Sequence, residues 1–274
     1  MLRKIFPLAV ILFVAACGGA ADSFDEGSDD VTSASLQLFT VQRDERKCAA
    51  PMCGGWWASA VQQDASPIYV TDLDLSRAQL DAQAEQSVRA APAEELLLRA
   101  RAVVADKRGF RQLVVKSVWR GMPGVVPAAK DAVWSMGQKT ATDVKSGKSA
   151  AVSSVDVRDA ARAFVDQDWL SSRVVSHGAL AAAHVSSKVL DASQVWIHLP
   201  ESIGPCAKPV EQACSGSQVQ AYARTADRCL QPLGCVNRGI CSMMMPSCAD
   251  GYAAVTWTAA NGCRATSCDP AWAH

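Results

Sequence analysis

The sequence predicts an α+β fold: an antiparallel sheet with two short helices, followed by a small disulfide-rich module. Three observations carry that expectation. Short runs of strand-forming residues recur, bounded by glycine, proline and asparagine. Only two stretches, around 76–91 and 157–165, show helical spacing of their apolar residues. Eight of the eleven cysteines fall in residues 201–274, a share of about 11% and above the level that marks a disulfide scaffold.

The chain opens with Arg3 and Lys4, an uncharged apolar run over 5–16, and then Val14-Ala15-Ala16-Cys17-Gly18. A charged head, a short apolar core and small residues before a cut make a secretory signal. Twelve residues of helix reach roughly 18 Å, short of the ~30 Å hydrocarbon core. The Val-Ala-Ala-Cys ending resembles the lipobox of bacterial lipoproteins. That resemblance implies lipid attachment to the thiol of Cys17, cleavage that removes residues 1–16, and acylation of the new amino group. One acyl chain holds a protein to a membrane only marginally and two hold it stably. Gly18 stands where the family's sorting rule places an aspartate for retention at the inner membrane, so the expected residence is the outer membrane. Residues 17–35 then form a lipidated, disordered acidic tether. Asp22, Asp25, Glu26, Asp29 and Asp30 face no base there, and little apolar surface offsets the cost of ordering.

The folded part is expected as an α+β domain over 36–200. Residues 36–41 read as a strand leading to Cys48 and Cys53, which are near enough to bridge around Pro51. Residues 68–75 alternate in their second half, with Leu73 and Leu75 opposite Asp72 and Asp74, as in a half-buried strand. Ser76 and Gln79 have capping-box spacing ahead of Leu80, Ala84 and Val88, which line one helical face, and Pro92 ends the helix. Residues 96–104 and 110–119 are two strand-like runs joined by a turn that ends on Gly109: a β-hairpin. Residues 121–124 break its second strand. Residues 132–136 read as a strand, 137–154 as a polar loop, and 157–165 as a helix with Ala161 and Phe164 facing inward. Residues 178–185 and 194–199 close the domain as a pair of strands.

Residues 201–274 form a separate cysteine-rich module. Its cysteines are Cys206, Cys214, Cys229, Cys235, Cys241, Cys248, Cys263 and Cys268, separated by seven, fourteen, five, five, six, fourteen and four residues. Burial alone rarely stabilises so small a piece. With Cys17 lipidated, ten cysteines remain, an even number in an exported chain, which reads as up to five disulfides. Eight cysteines allow 105 pairings, and spacing does not choose among them. Residues 252–258 and Asn261-Gly262 read as a strand and a tight turn. One internal echo joins Pro51–Trp56 to Pro246–Tyr252.

Two stretches, Cys48-Ala-Ala-Pro-Met-Cys-Gly-Gly-Trp-Trp and residues 224–252 with their spaced cysteines, together resemble an uncharacterised domain family of cysteine-rich lipoproteins from myxobacteria. The resemblance implies a location and an architecture, and it carries no activity.

The chemistry-bearing patterns are few. Gly147-Lys148-Ser149 lacks the earlier glycine and the preceding strand that a phosphate loop needs. Zincin, nucleophile-elbow and Ser-x-x-Lys motifs do not occur. His177, His184 and His198 read as ordinary histidines, and cysteines without a Cys-x-x-Cys knuckle in an oxidising compartment pair with each other before they bind zinc. No cofactor or metal site is expected, and the chain is read as non-catalytic. Charge is balanced at 27 bases and 27 acids, which gives nucleic acid no general attraction. From 99 to 148, however, eleven bases face three acids. Arg99, Arg101, Lys107, Arg108 and Arg111 are the candidate patch for an anionic ligand. Trp56 and Trp57, adjacent on a strand, point opposite ways, so one can stack on a sugar. The expected function is a lipid-anchored binding or structural component of the envelope, with a membrane on one side and an anionic glycan or another surface protein as partner. The alternative is a disulfide-stapled protease inhibitor, with 230–234 as its presented loop, and after it an enzyme of unrecognised type. Oligomeric state has no signature in the sequence.

Overall fold

The computed structural model describes residues 35–61, 63–137, 139–157, 164–176, 178–200, 206–241 and 246–273. These belong to one compact unit. The expectations for the signal, Cys17, residues 17–34, His177 and the 158–163 part of the second helix lie outside the described residues.

The first half of the sheet is built from β1 (Gln37–Arg43), β2 (Trp56–Ala60), β3 (Ile68–Val70), β4 (Asp72–Asp74), β5 (Leu96–Val104) and β6 (Arg111–Gly121), with helix α1 (Ala82–Arg89) between β4 and β5. The second half is built from β7 (Ala132–Met136), β8 (Thr140–Asp143), β9 (Ser149–Ala151), β10 (Ser154–Val157), β11 (Leu180–Ser186) and β12 (Val189–Leu199), with helix α2 (Gln167–Ser176) between β10 and β11. All twelve strands form one sheet in the order β3-β2-β1-β5-β6-β12-β11-β7-β8-β9. The remaining edges of β6 and β12 are filled by β4 and β10, the two parallel pairings of the sheet.

Read from its centre outward, that order is the same on both sides. The halves are two copies of one unit, β-β-β-β-α-β-β, related about the β6/β12 pair. The register confirms the equivalence. β4 meets β6 at Asp72↔Gln112, and β10 meets β12 at Ser154↔Val189. Four residues further on, each long strand carries a one-residue bulge, Lys116 in β6 and Ser193 in β12. The amide of Thr71 donates to Arg111 O at 2.8 Å, and that of Ser153 donates to Lys188 O at 2.8 Å. Gln79 (φ 55°) and Phe164 (φ 56°) hold the same left-handed conformation two residues before the aspartates that cap the helices. Asp81 accepts from Ala84 N at 2.8 Å, and Asp166 from Trp169 N at 3.0 Å.

Several expected elements shift for local reasons. Asp81, not Ser76, caps α1, because Asp74 holds both the amide (3.1 Å) and the hydroxyl (2.6 Å) of Ser76 in a tight turn. Residues 68–75 make two short strands, β3 and β4, in place of one. The polar stretch 137–154 is a hairpin of β8 and β9 around Gly147. Phe164 is half exposed instead of core-facing, and the second helix starts at Gln167. The β5/β6 hairpin, β7 and β11 lie where the sequence places them, and β12 begins at Val189, five residues ahead of the expected start at 194.

Both helices cover one face of the sheet. Val88 of α1 packs with Leu98, Leu113, Val115 and Val118, and Trp169, Leu170 and Val174 of α2 pack with Ala181, Ala183, Val195 and Ile197. On the opposite face a smaller cluster of Leu97, Trp119, Leu180, Ala182 and Trp196 straddles the centre.

The C-terminal module is also built twice. β13 (Gln218–Arg224) pairs with β14 (Leu230–Asn237), and β15 (Tyr252–Thr258) with β16 (Arg264–Pro270), as two antiparallel hairpins. Cys206–Cys229 and Cys214–Cys235 staple the first, and Cys241–Cys263 and Cys248–Cys268 the second. In each hairpin the first cysteine joins the third and the second joins the fourth. Arg228 (φ 63°) and Gly262 (φ 72°) occupy the same place in the two turns. A fifth bridge, Cys48–Cys53, closes the β1–β2 loop. The short echo between 51–56 and 246–252 joins elements that are not equivalent.

Candidate functional site

The module settles on α2. Cys268 N donates to Phe164 O at 2.9 Å, and Arg224 reaches both Asp166 (3.1 Å) and Asp269. Trp169, fully buried, lies beside Trp272, with ring centres 6.4 Å apart. Arg228 lies over the Trp169 ring, its guanidinium 4.9 Å from a ring centre, and Arg173 pairs with Asp227 at 3.2 Å. The equivalent face of α1 is left open, and there the module forms the far wall of a cleft of about 630 Å³.

Asp81, Gln83, Ala84 and Ser87 of α1 make one wall of the cleft, and Asp250, Gly251 and Trp272 make the other. Pro92, Glu94, Glu95 and Arg120 lie between them. Pro92 starts a single 3₁₀ turn, Ala93–Glu95, that sets Glu95 against the first residue of β5. Arg120 comes from the central strand β6. Both are buried, Glu95 6% and Arg120 5% exposed. Arg120 Nη2 donates to Glu95 Oε2 at 3.2 Å and Nη1 to Ser87 O at 2.7 Å, while Gly124 N donates to Glu95 Oε1 at 3.0 Å. Arg120 Nε has no hydrogen-bond partner among the described residues. The Trp272 ring lies 5.9 Å from the guanidinium, its indole donating to Gly121 O at 3.0 Å.

Burial pushes the Glu95 carboxyl above its usual range, although the Gly124 amide and Arg120 both pull it down. Burial also lowers Arg120, against the support of Glu95. For both partners desolvation outweighs pairing, as is common for a buried ion pair. Tyr252 lines a second cavity of about 340 Å³ that shares Pro123, Gly124 and Asp250 with the first. Its phenol is pushed up to about 12 by burial and by the charge of Glu95. Three more carboxylates, Asp81, Glu94 and Asp250, rim the cleft, and among the described residues none of them makes an ion pair. The lining therefore favours a ligand carrying positive charge.

The sequence-derived candidates fall elsewhere. Arg99 and Arg101 are half-buried on one face of β5. Arg101 pairs with Val114 and Val104 with Arg111, three residues apart, so the pleat sends Arg111 to the opposite face. Lys107 and Arg108 stand at the hairpin tip, Arg108 paired with Asp106 at 2.9 Å and lying over Phe110. The five bases thus form no single surface. Trp56 is buried, while Trp57 is half-buried between Tyr69 and Arg46. His184 is near Asp191 at 3.7 Å and His198 meets Trp119 edge to face, so these two do not converge. Residues 230–234 lie within β14, paired with β13. The described residues contain no cluster of metal-ligating side chains. Glu95, Arg120 and Trp272 were not singled out by their pattern. The available signal was Glu94-Glu95 directly ahead of Leu96-Leu97-Leu98, acids flush against a strand too apolar to be exposed.

Residues 37–139 match the family model described as a domain of unknown function (DUF6748). The match covers the first unit, β1 to β6, and runs on through β7. An uncharacterized protein of Dictyostelium discoideum is 30% identical over 112 residues, which are 39% of this chain and 39% of that protein. No solved structure matches the chain.

Proposed function

We propose that this chain is an exported, lipid-anchored envelope protein that binds its ligand without transforming it. Support for export comes from five disulfides in the folded unit, which persist in oxidising compartments. No helix among the described residues is long and apolar enough to cross a membrane. Attachment would then rest on a lipid at Cys17, and Gly18 favours the outer membrane.

The observation that carries the binding reading is the state of the cleft's one buried ion pair. Glu95 and Arg120 are held by each other, by Ser87 O and by Gly124 N. A group fixed in this way shapes and charges a recognition surface more readily than it shuttles a proton. The partner is a surface protein or an envelope glycan.

Two measurements test this reading. Mass spectrometry of the mature amino terminus should show an acylated Cys17, with thiols that alkylate only after reduction. An unacylated mature Cys17 would refute the anchor. A photo-crosslinking residue at Gln83, inside the cleft, should form adducts in intact cells that one at Gln231 on β14 does not. Adducts at Gln231 alone would refute binding at this site.

A further inference from the structure

The molecule contains a template for what fits its open cleft, because α1 and α2 are equivalent and only α2 is covered. We infer that the cleft receives an extended, β-type segment of a partner protein, presenting an arginine or lysine to Asp81. This inference deepens the binding reading above and rests on it.

The covered copy shows the docking chemistry. A strand of the module donates Cys268 N to Phe164 O, and Arg224 reaches the capping carboxylate of Asp166. The open copy offers the same groups. Gln79 has the conformation of Phe164, and among the described residues its carbonyl accepts no hydrogen bond. Asp81 caps α1 as Asp166 caps α2 and makes no ion pair there. Where α2 carries Trp169 beneath the module, α1 carries Ala84, which leaves room for an occupant.

One feature is particular to the open side. Glu94 and Asp250 add negative charge at the rim, so the complement is a basic segment. The alternate side chains of an extended segment meet that rim.

The test uses the full mature chain with Cys17→Ala for solubility, and fluorescence anisotropy with three probes: an alternating Val/Thr octapeptide bearing two arginines, the same peptide with glutamine at those positions, and chitotetraose. The arginine peptide should bind at least tenfold more tightly than the glutamine peptide. Binding should weaken at least tenfold in Asp81→Asn/Asp250→Asn and with salt. Ala84→Trp, which copies α2, should abolish binding while the near-ultraviolet circular dichroism keeps its folded signature. Equal binding of the two peptides overturns the inference, as does preference for the sugar or arginine-peptide binding that survives Ala84→Trp. If Gln83 still crosslinks in cells and the arginine peptide fails to compete, the inference fails and the binding site stands. If Gln83 forms no adducts, both fail.

Discussion

Trp119 and Trp196 hold equivalent positions on the two central strands, and each reaches across the sheet's midline to the other half. The Trp119 indole donates to Gly178 O at 3.2 Å, just ahead of β11, and the Trp196 indole donates to Glu94 O at 3.2 Å, just ahead of β5. The halves share only four residue pairs of β6/β12 ladder, Trp196↔Gly121 to Leu199↔Val118. The crossed indoles therefore reinforce a short seam.

Replacing either tryptophan by phenylalanine should cost about 1–2 kcal/mol, the lost hydrogen bond plus the unpaired carbonyl left behind. Urea unfolding midpoints measure it. Because both rings belong to one packed cluster, the double variant should depart from additivity.

Removing one partner of the buried pair is more damaging than neutralising it. Arg120→Leu leaves Glu95 buried and unpaired, and should cost about 3–5 kcal/mol near neutral pH. Glu95→Gln keeps an acceptor for Gly124 N and should cost less.

The same carboxyl sets a pH dependence. Its folded value is raised above 4.5, so its contribution to stability is fully present below that pH and is lost as pH rises through the folded value. Glu95→Gln should remove this falling limb above pH 4.5, measured as unfolding midpoint against pH. Asp74 and Asp106 act in the opposite sense. Their folded values lie below 3.8, so their contribution is present above it and lost as pH falls further.

Gly251→Ala should destabilise the seam between module and sheet. An added Cβ would lie 2.5 Å from Pro123 Cβ, at a φ of +84° that side chains rarely adopt. Thermal unfolding should move down by several degrees, and limited proteolysis should cut ahead of Tyr252.

Opening the Cys248–Cys268 bridge with paired serines should cost about 3 kcal/mol for a loop of this length. The five-residue separation of Cys48–Cys53 predicts less, about 2 kcal/mol, on the same scale. Denaturant unfolding of the two double variants gives the comparison.

The long strands were legible because their apolar runs are bounded by clear turns, as in 96–104 with Gly109. Helix α1 starts later than the Ser76 capping spacing predicts because Asp74 takes Ser76 away from the helix, a competition between two local hydrogen-bonding schemes. β8 and β9 were hidden by length, with four and three residues of Ala, Thr, Ser and Asp. The sheet's duplication was illegible because equivalent positions keep burial and register but seldom identity. Val118-Trp119 against Val195-Trp196 and Asp81 against Asp166 are among the few matches. The hairpin repeat, by contrast, was present in the cysteine spacing: seven, fourteen and five, then six, fourteen and four. The cleft was unreadable because it depends on the open face left by an unequal pairing of module and helices.

The interleaved bridges of the two hairpins have a consequence for biogenesis. In a chain exported amino end first, Cys206 and Cys214 would emerge before Cys229, and an oxidant acting in that order would join neighbours that the finished molecule keeps apart. Only Cys48 and Cys53 are both adjacent and partners. On that route, correct pairing would need the wrong bonds to be attacked by a reduced thiol. A compartment receiving the chain in that order would have to deliver electrons as well as remove them.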